Sequence, residues 1–125
     1  AGLPVWIGAT AEPALERTGR IADGYHATGT DPATMQERVP IIAAAAEAAG
    51  RPMPVLSARL SVAFDRAARG PAVLGGSPAQ MADRIGAYRQ AGTKHLALDF
   101  GETDADAVAR AIERFEGEVV PLLAA

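Results

Sequence analysis

A chain of 125 residues is one domain by its length and can bury a core, and its 12 Lys and Arg against 15 Asp and Glu leave a net charge of −3. That balance removes the electrostatic footprint of a nucleic-acid or anionic-membrane binder, so the partner is expected to be a small molecule or another protein chain. The absence of cysteine excludes disulfides, thiol catalysis and cysteine-ligated metals, and two histidines are too few for a typical histidine-rich metal site.

In chain order, "PVWIG" at residues 4–8 reads as a strand that breaks at Gly8-Ala9-Thr10. A helix follows to Ala22, with Thr10 able to cap it, Pro13 near its first turn and Leu15, Thr18 and Ala22 on one face. Gly24 reads as its closing glycine. The second unit is a short strand, "YHAT", and a helix opened by Asp31-Pro32, with Met35, Val39 and Ile42 on one face and Gly50 at its end. Pro40 lies inside this pattern and predicts a kink or break, because proline removes a backbone hydrogen bond.

The third unit opens on "PVLSARLSVAF", where Ala58, Leu60, Val62 and Phe64 alternate with Ser57, Arg59, Ser61 and Ala63. Period two is the strand signal. A loop is expected from Asp65 to Gly76, then a helix opened by the capping box Ser77 to Gln80, with Met81, Ile85 and Tyr88 buried and Gly92 as its stop. The fourth unit is the strand "KHLALDF", Thr103 as N-cap, and a helix with Val108, Ile112, Phe115 and Val119 on one stripe. The longest apolar run, residues 40–46, is far short of the roughly 20 that span a bilayer, and a soluble cytoplasmic protein is the expectation.

Strand alternating with helix four times implies an α/β fold of parallel strands joined by right-handed crossovers. Two architectures meet that description: half of an eight-stranded β/α barrel, or a small open sheet with helices on both faces. The polar alternation in "SARLS" favours the half-barrel, since a central strand of an open parallel sheet is usually apolar on both sides. A chain that opens directly on such a strand, without an initiator Met, is expected to be a processed piece, with Met removal or a tag scar as the alternative.

Two stretches, "PVWIGATAEPALERTGRIADGYHATG" and "GGSPAQMADRIGAYRQAGTKHLALDF", in this order and spacing, resemble the luciferase-like flavin- and deazaflavin-dependent oxidoreductases, which include monooxygenases and are β/α barrels. The resemblance covers essentially the whole chain and matches the C-terminal half of such a barrel. It implies that residues 1–125 form a single domain, strands five to eight, and that the chain begins on a strand because the preceding half is absent. It further implies a part of an enzyme that acts on a small organic substrate and is inactive alone, since the family's main catalytic residues come from the other half. No catalytic residue is assigned within this chain.

The resemblance places the cofactor phosphate at the loop Gly8, Ala9, Thr10 and Ala11. The chemistry is available there, because a helix N-terminus offers unpaired N–H groups and the positive end of a dipole. The cofactor stays open between FMN and a deazaflavin coenzyme: deazaflavin users often carry a Gly-Gly-Pro-like loop, and this chain has Thr-Ala-Glu-Pro with the negative Glu12. Thr10 is read equally as a plain helix cap.

Thr28 stands where the family has a polar substrate contact, and period two puts His26 on the same face. His26 is read as a substrate or cofactor contact able to exchange protons near neutrality, or as a hydrogen-bonded interior histidine. Arg59, also inward, needs a phosphate, a carboxylate substrate or an internal carboxylate as its partner. His95, at the start of its strand, is read as serving stability; Asp99, at the end of that strand, lies where barrel enzymes keep their chemistry; Trp6 is read as packing. A non-enzymatic alternative is a half-barrel that binds a phosphate ligand or dimerises, since its two terminal strands would leave open edges that invite pairing with a second copy or with the missing half.

Overall fold

The alternation in residues 55–64 becomes the central strand of a five-stranded, all-parallel sheet in the computed structural model, which describes residues 2–123. The order is β1 (Trp6–Ile7), α1 (Glu12–Ile21), β2 (Gly24–Ala27), α2 (Pro32–Ala48), β3 (Val55–Phe64), β4 (Val73–Gly76), α3 (Pro78–Gln90), β5 (His95–Asp99) and α4 (Ala105–Arg114). A π-helical turn at Phe115–Val119 and a 3-10 turn at Val120–Leu123 continue α4. Among the described residues, no helix is long and apolar enough to cross a membrane.

Strand β1 pairs with β2, β2 with residues 55–58 of β3, and β5 with residues 57–61 of β3. The strands that head the four units thus lie side by side in sequence order, with no reversal. That is the arrangement of half a β/α barrel, and it differs from a doubly wound sheet, whose strand order switches direction. The helices deliver Leu15, Met35, Ile42, Met81, Ile85 and Tyr88 into one core with Tyr25, Leu56, Ala58, Leu60 and Val62. All of these sheet residues share one face, and the other face is left open.

One strand was not expected. The segment read as a loop from Asp65 to Gly76 contains β4, which pairs with residues 61–64 of β3. Ser61 is aligned with both Val73 and Asp99, so β4 and β5 take opposite edges of β3, and β4 extends the edge that the shorter β2 leaves free. Four residues rich in glycine carry little strand signal, and tertiary pairing supplies what propensity does not.

Four local expectations are corrected. Helix α2 runs unbroken through Pro40, whose exposed position leaves the carbonyl it deprives of a partner to water. Helix α1 is capped by Ala11, with no side-chain cap, so Thr10 does not cap it; α4 is capped by Asp104 accepting from the Ala107 N–H at 2.9 Å, one residue beyond Thr103. Gly24 opens β2 and does not close α1. Its missing side chain makes room for the Trp6 indole: a Cβ there would lie 2.7 Å from the Trp6 Cγ. The capping box Ser77–Gln80 and the buried face Met81, Ile85 and Tyr88 are found where the sequence puts them.

Helix α1 lies close against α2 because Gly19 has no side chain. A Cβ there would sit 2.7 Å from the Ala45 Cβ and 2.9 Å from the Ala46 N, and it would strike the Ile42 carbonyl oxygen. Backbone cannot give way as a flexible side chain can, so Gly19→Ala is expected to destabilise by about 1–3 kcal/mol, read as a lower urea midpoint at unchanged slope. At the start of α2, hydrogen bonds from Thr34 hold the Asp31 carboxyl below its ordinary value of 3.8. A depressed carboxyl stabilises the fold above its unfolded value and loses that contribution as pH falls through its folded value. Asp31→Ala is therefore expected to lower the urea midpoint at neutral pH, and the gap from the parent chain is expected to close as pH is taken down to about 2.

Candidate functional site

The strand register fixes which side chains reach the open face. Trp6, Gly24 and Val55 align near the N-terminal ends of the strands; His26, Ser57 and His95 align one step along; Arg59 and Ala97 follow, and then Ser61 and Asp99. Thr28, two residues beyond His26, continues the same parity past the end of β2. A strand whose helix side is Leu, Ala, Leu and Val and whose other side is Ser, Arg and Ser presents polar chemistry to the concave side. Period two already gave this much.

Thr28 and Arg59 line one cavity of about 240 Å³ beyond the C-terminal end of β2, over the middle of β3 and beside the start of β4, together with Ser61, Arg69, Gly29 and Gly70. The C-terminal ends of parallel strands are where barrels and open α/β sheets bind ligands. Arg59 Nη2 lies 2.7 Å from Asp99 Oδ2, both half-exposed, so the partner left open in the sequence is a carboxylate of the neighbouring strand. The Gly101 N–H, 2.9 Å from Asp99 Oδ1, and the guanidinium together hold the Asp99 carboxyl below the usual range. Arg69 has no carboxylate partner among the described residues and adds uncompensated positive charge to the rim. The two arginines of "DRAARG" after β3 were the signal for it in the sequence, which the reading passed over.

His26 stands one register step deeper than this cavity, with Nδ1 2.9 Å from the Ser57 Oγ. Ser57 also reaches His95 Nδ1 at 2.8 Å. The sequence reading separated His95 from His26 by assigning it to stability; the parallel register brings them to the two sides of one hydroxyl. The signal lay in the pleat, since Ser57 has the parity of Arg59. His95 also meets the Trp6 indole edge-on, with ring centroids 5.6 Å apart.

The segment Gly8, Ala9, Thr10 and Ala11 lies beyond the end of β1 and leads into α1. Tyr25 donates its hydroxyl to the Ala9 carbonyl at 2.7 Å and accepts from Arg38 Nη1 at 3.0 Å, and Arg38 Nη1 also reaches Thr30 Oγ1 at 2.8 Å. This ties the loop to α2. Gly8 lets two strands approach, since a Cβ would lie 3.2 Å from the His26 carbonyl oxygen. No hydrogen bond among the described residues is donated by the N–H of Thr10, Ala11 or Glu12, so the turn into α1 keeps free donors at the positive end of the helix. These groups fit a phosphate, with the exposed Glu12 carboxylate as the one opposing charge.

A larger concavity lies elsewhere. About 590 Å³ between α1 and α2, lined by Glu12, Glu16, Arg20, Pro40, Ile41 and the alanines of α2, opens on the helical side of the sheet. It is a consequence of small side chains at a helix crossing, and of its charged groups Arg20 is paired with Glu16 at 3.9 Å.

Comparison with known proteins agrees with this architecture. A structure of an F420-dependent secondary alcohol dehydrogenase in complex with an F420-acetone adduct superimposes with a TM-score of 0.79 at 14% identity over 100% of this chain and 50% of that one. A coenzyme F420-dependent tetrahydromethanopterin reductase from Methanopyrus kandleri gives 0.77 at 17% identity over 95% of this chain and 50% of that one. The monooxygenase RslO1 from Streptomyces bottropensis gives 0.72 at 15% identity over 94% and 47%. The chain spans about half the length of the solved structures it matches. Curated protein sequences give no match. The family described as luciferase-like monooxygenase matches residues 1–73, more than half of the chain and including Gly8–Ala11, His26, Thr28 and Arg59. The chain belongs to the luciferase-like monooxygenase family.

Proposed function

We propose that the chain is the C-terminal half of a luciferase-like β/α barrel, strands five to eight, and supplies one wall of the active site of a flavin- or deazaflavin-dependent oxidoreductase acting on a small organic substrate. One observation carries the reading: four parallel β/α units in sequential order, with a polar open face, superimpose over 94–100% of their length on about half of each of three longer enzymes. Two of those enzymes are described by their use of F420, which favours a deazaflavin; FMN is the alternative.

In this reading the free N–H groups from Thr10 to Glu12 hold the cofactor phosphate, as a helix N-terminus does, and Gly8 to Ala11 shape the turn. The cofactor supplies the redox chemistry when bound. Thr28 and Arg59 orient the substrate beside the end of β2, and the Arg59 guanidinium is kept in place by Asp99. His26, one step deeper, offers a proton-exchanging group to the same face. The half-barrel alone is inactive, because one wall cannot shield a reaction from water.

A second reading is favoured by the sheet edges. Among the described residues, the outer edges of β1 and β5 are unpaired, and Trp6 and Val55 stand 42% and 43% exposed on the open face. Two copies could close a four-plus-four barrel.

Sizing the chain with cofactor present, alone and co-expressed with the N-terminal half of a luciferase-like barrel, separates the two readings. A one-to-one complex that retains cofactor, against little retention by the chain alone, is the expected result. A defined dimer that retains cofactor without help would overturn it in favour of the second reading. Glu12→Gln is expected to tighten cofactor binding ~2- to 5-fold at low salt by removing a negative charge from the helix N-terminus, with the gain shrinking as salt is added. Fluorescence titration reads both.

A further inference from the structure

On the open face a single hydroxyl stands between two imidazoles. Ser57 Oγ lies 2.9 Å from Nδ1 of His26 on β2 and 2.8 Å from Nδ1 of His95 on β5, the two strands that flank β3 on opposite edges. Ser57 is fully buried between them. A serine hydroxyl has one proton to give and lone pairs to receive. With both rings neutral, the Oγ–H therefore points at one Nδ1, and the other Nδ1 carries its own hydrogen and donates it to Oγ.

The two rings must then hold opposite tautomers. One presents a bare Nε2 and the other an Nε2–H, and neither Nε2 has a hydrogen-bond partner among the described residues. Either assignment satisfies the hydroxyl; conversion of one into the other shifts both shared protons along the chain and moves one further proton, through solvent, from the Nε2 of one ring to the Nε2 of the other.

We infer that His26, Ser57 and His95 form one proton-sharing site, in which a proton accepted at Nε2 of His26 reappears as positive charge on His95. A ligand hydroxyl gives its proton to His26 Nε2; the His26 Nδ1 proton passes to Ser57 Oγ; the Ser57 proton passes to His95 Nδ1. The ligand is left as the anion, His26 neutral with its hydrogen on Nε2, and His95 an imidazolium. One proton enters, one positive charge appears two hydrogen bonds away, and no electron changes hands. The reverse sequence protonates a developing alkoxide.

The ligand class is a small molecule whose hydroxyl and carbonyl forms interconvert, since loss of hydride from such a carbon needs a partner for the oxygen-bound proton. That identity rests on the oxidoreductase reading above. The proton sharing rests on the three side chains alone.

The charged side chains around the pair are few. On β3 and β5 the charged neighbours of the same face, Arg59 and Asp99, neutralise each other, Lys94 precedes His95 and is exposed, and β1 offers the uncharged Trp6 ring. The residues nearest to His26 along the chain on this face are Gly24 and Thr28, both uncharged. The helices pack on the far side of the sheet.

Long-range nitrogen–proton NMR of the whole chain, in mildly alkaline solution, assigns the tautomer of each ring. Opposite tautomers are expected in the parent chain, together with ring signals that move in concert on acidification; Ser57→Ala is expected to release both rings to the same tautomer and to uncouple their signals. Two rings sharing one tautomer in the parent chain, or unchanged ring signals in a folded Ser57→Ala variant, would overturn the proposal. Should Ser57→Ala fail to fold, His95→Phe takes its place: His26 is expected to lose its fixed tautomer, and retention of it would equally overturn the proposal. A chain that shows the coupling and takes up no cofactor with its complementary half defeats the oxidoreductase reading and leaves the proton-sharing site standing.

Discussion

The pleat of one ten-residue strand governs the rest of the molecule. β3 is hydrogen-bonded to three neighbours, and its even-numbered residues, Leu56, Ala58, Leu60 and Val62, lie beneath the helices while its odd-numbered ones, Ser57, Arg59 and Ser61, do not. A shift of pairing by one residue would exchange the two sets and bury an arginine under α2 and α3. Burial of four apolar side chains on one side therefore fixes the register that brings His26, Ser57 and His95 into one row. Stability and chemistry are set by the same alternation, on opposite faces.

Much of this was legible because it is periodic. The stripes of α1 and α3, the capping box at Ser77 and the alternation of β3 are local patterns, and local patterns survive folding when a core is there to reward them. Thr28 and His26 fall on one face for the same reason. The parts that were not legible depend on partners distant in sequence. β4 exists because β2 is too short to occupy the whole edge of β3, and nothing within "VLGG" announces that vacancy. The link between His26 and His95 spans 69 positions and requires the register of three strands at once. Pro40 was read by its local rule, and the solvent-facing position of the ring relaxed that rule.

The loop from Gly8 to Ala11 is held from behind. Tyr25 belongs to the core by its ring and to the loop by its hydroxyl, which meets Ala9, and Arg38 ties that hydroxyl to Thr30 at the start of α2. Polar side chains at the boundary of the core thus fix a segment whose own residues, Gly, Ala, Thr and Ala, are small. Free N–H groups can be offered to a phosphate only from backbone that does not collapse onto itself, and the tyrosine secures this from the helical side.

Strand β4 also changes what the segment between it and β3 is permitted to do. Asp65 and Arg66 are stitched to Gly76 by backbone hydrogen bonds, and Asp65 is clasped by Arg114, whose guanidinium also covers the Phe64 ring. Both ends of residues 67–72 are thereby anchored independently of what lies between them. The rim of the cavity, Arg69 included, is a short span between two fixed ends, with Arg84 holding the Pro71 carbonyl at 2.7 Å. A change at Arg69 alters the charge at the cavity mouth while the strands on either side keep their pairing.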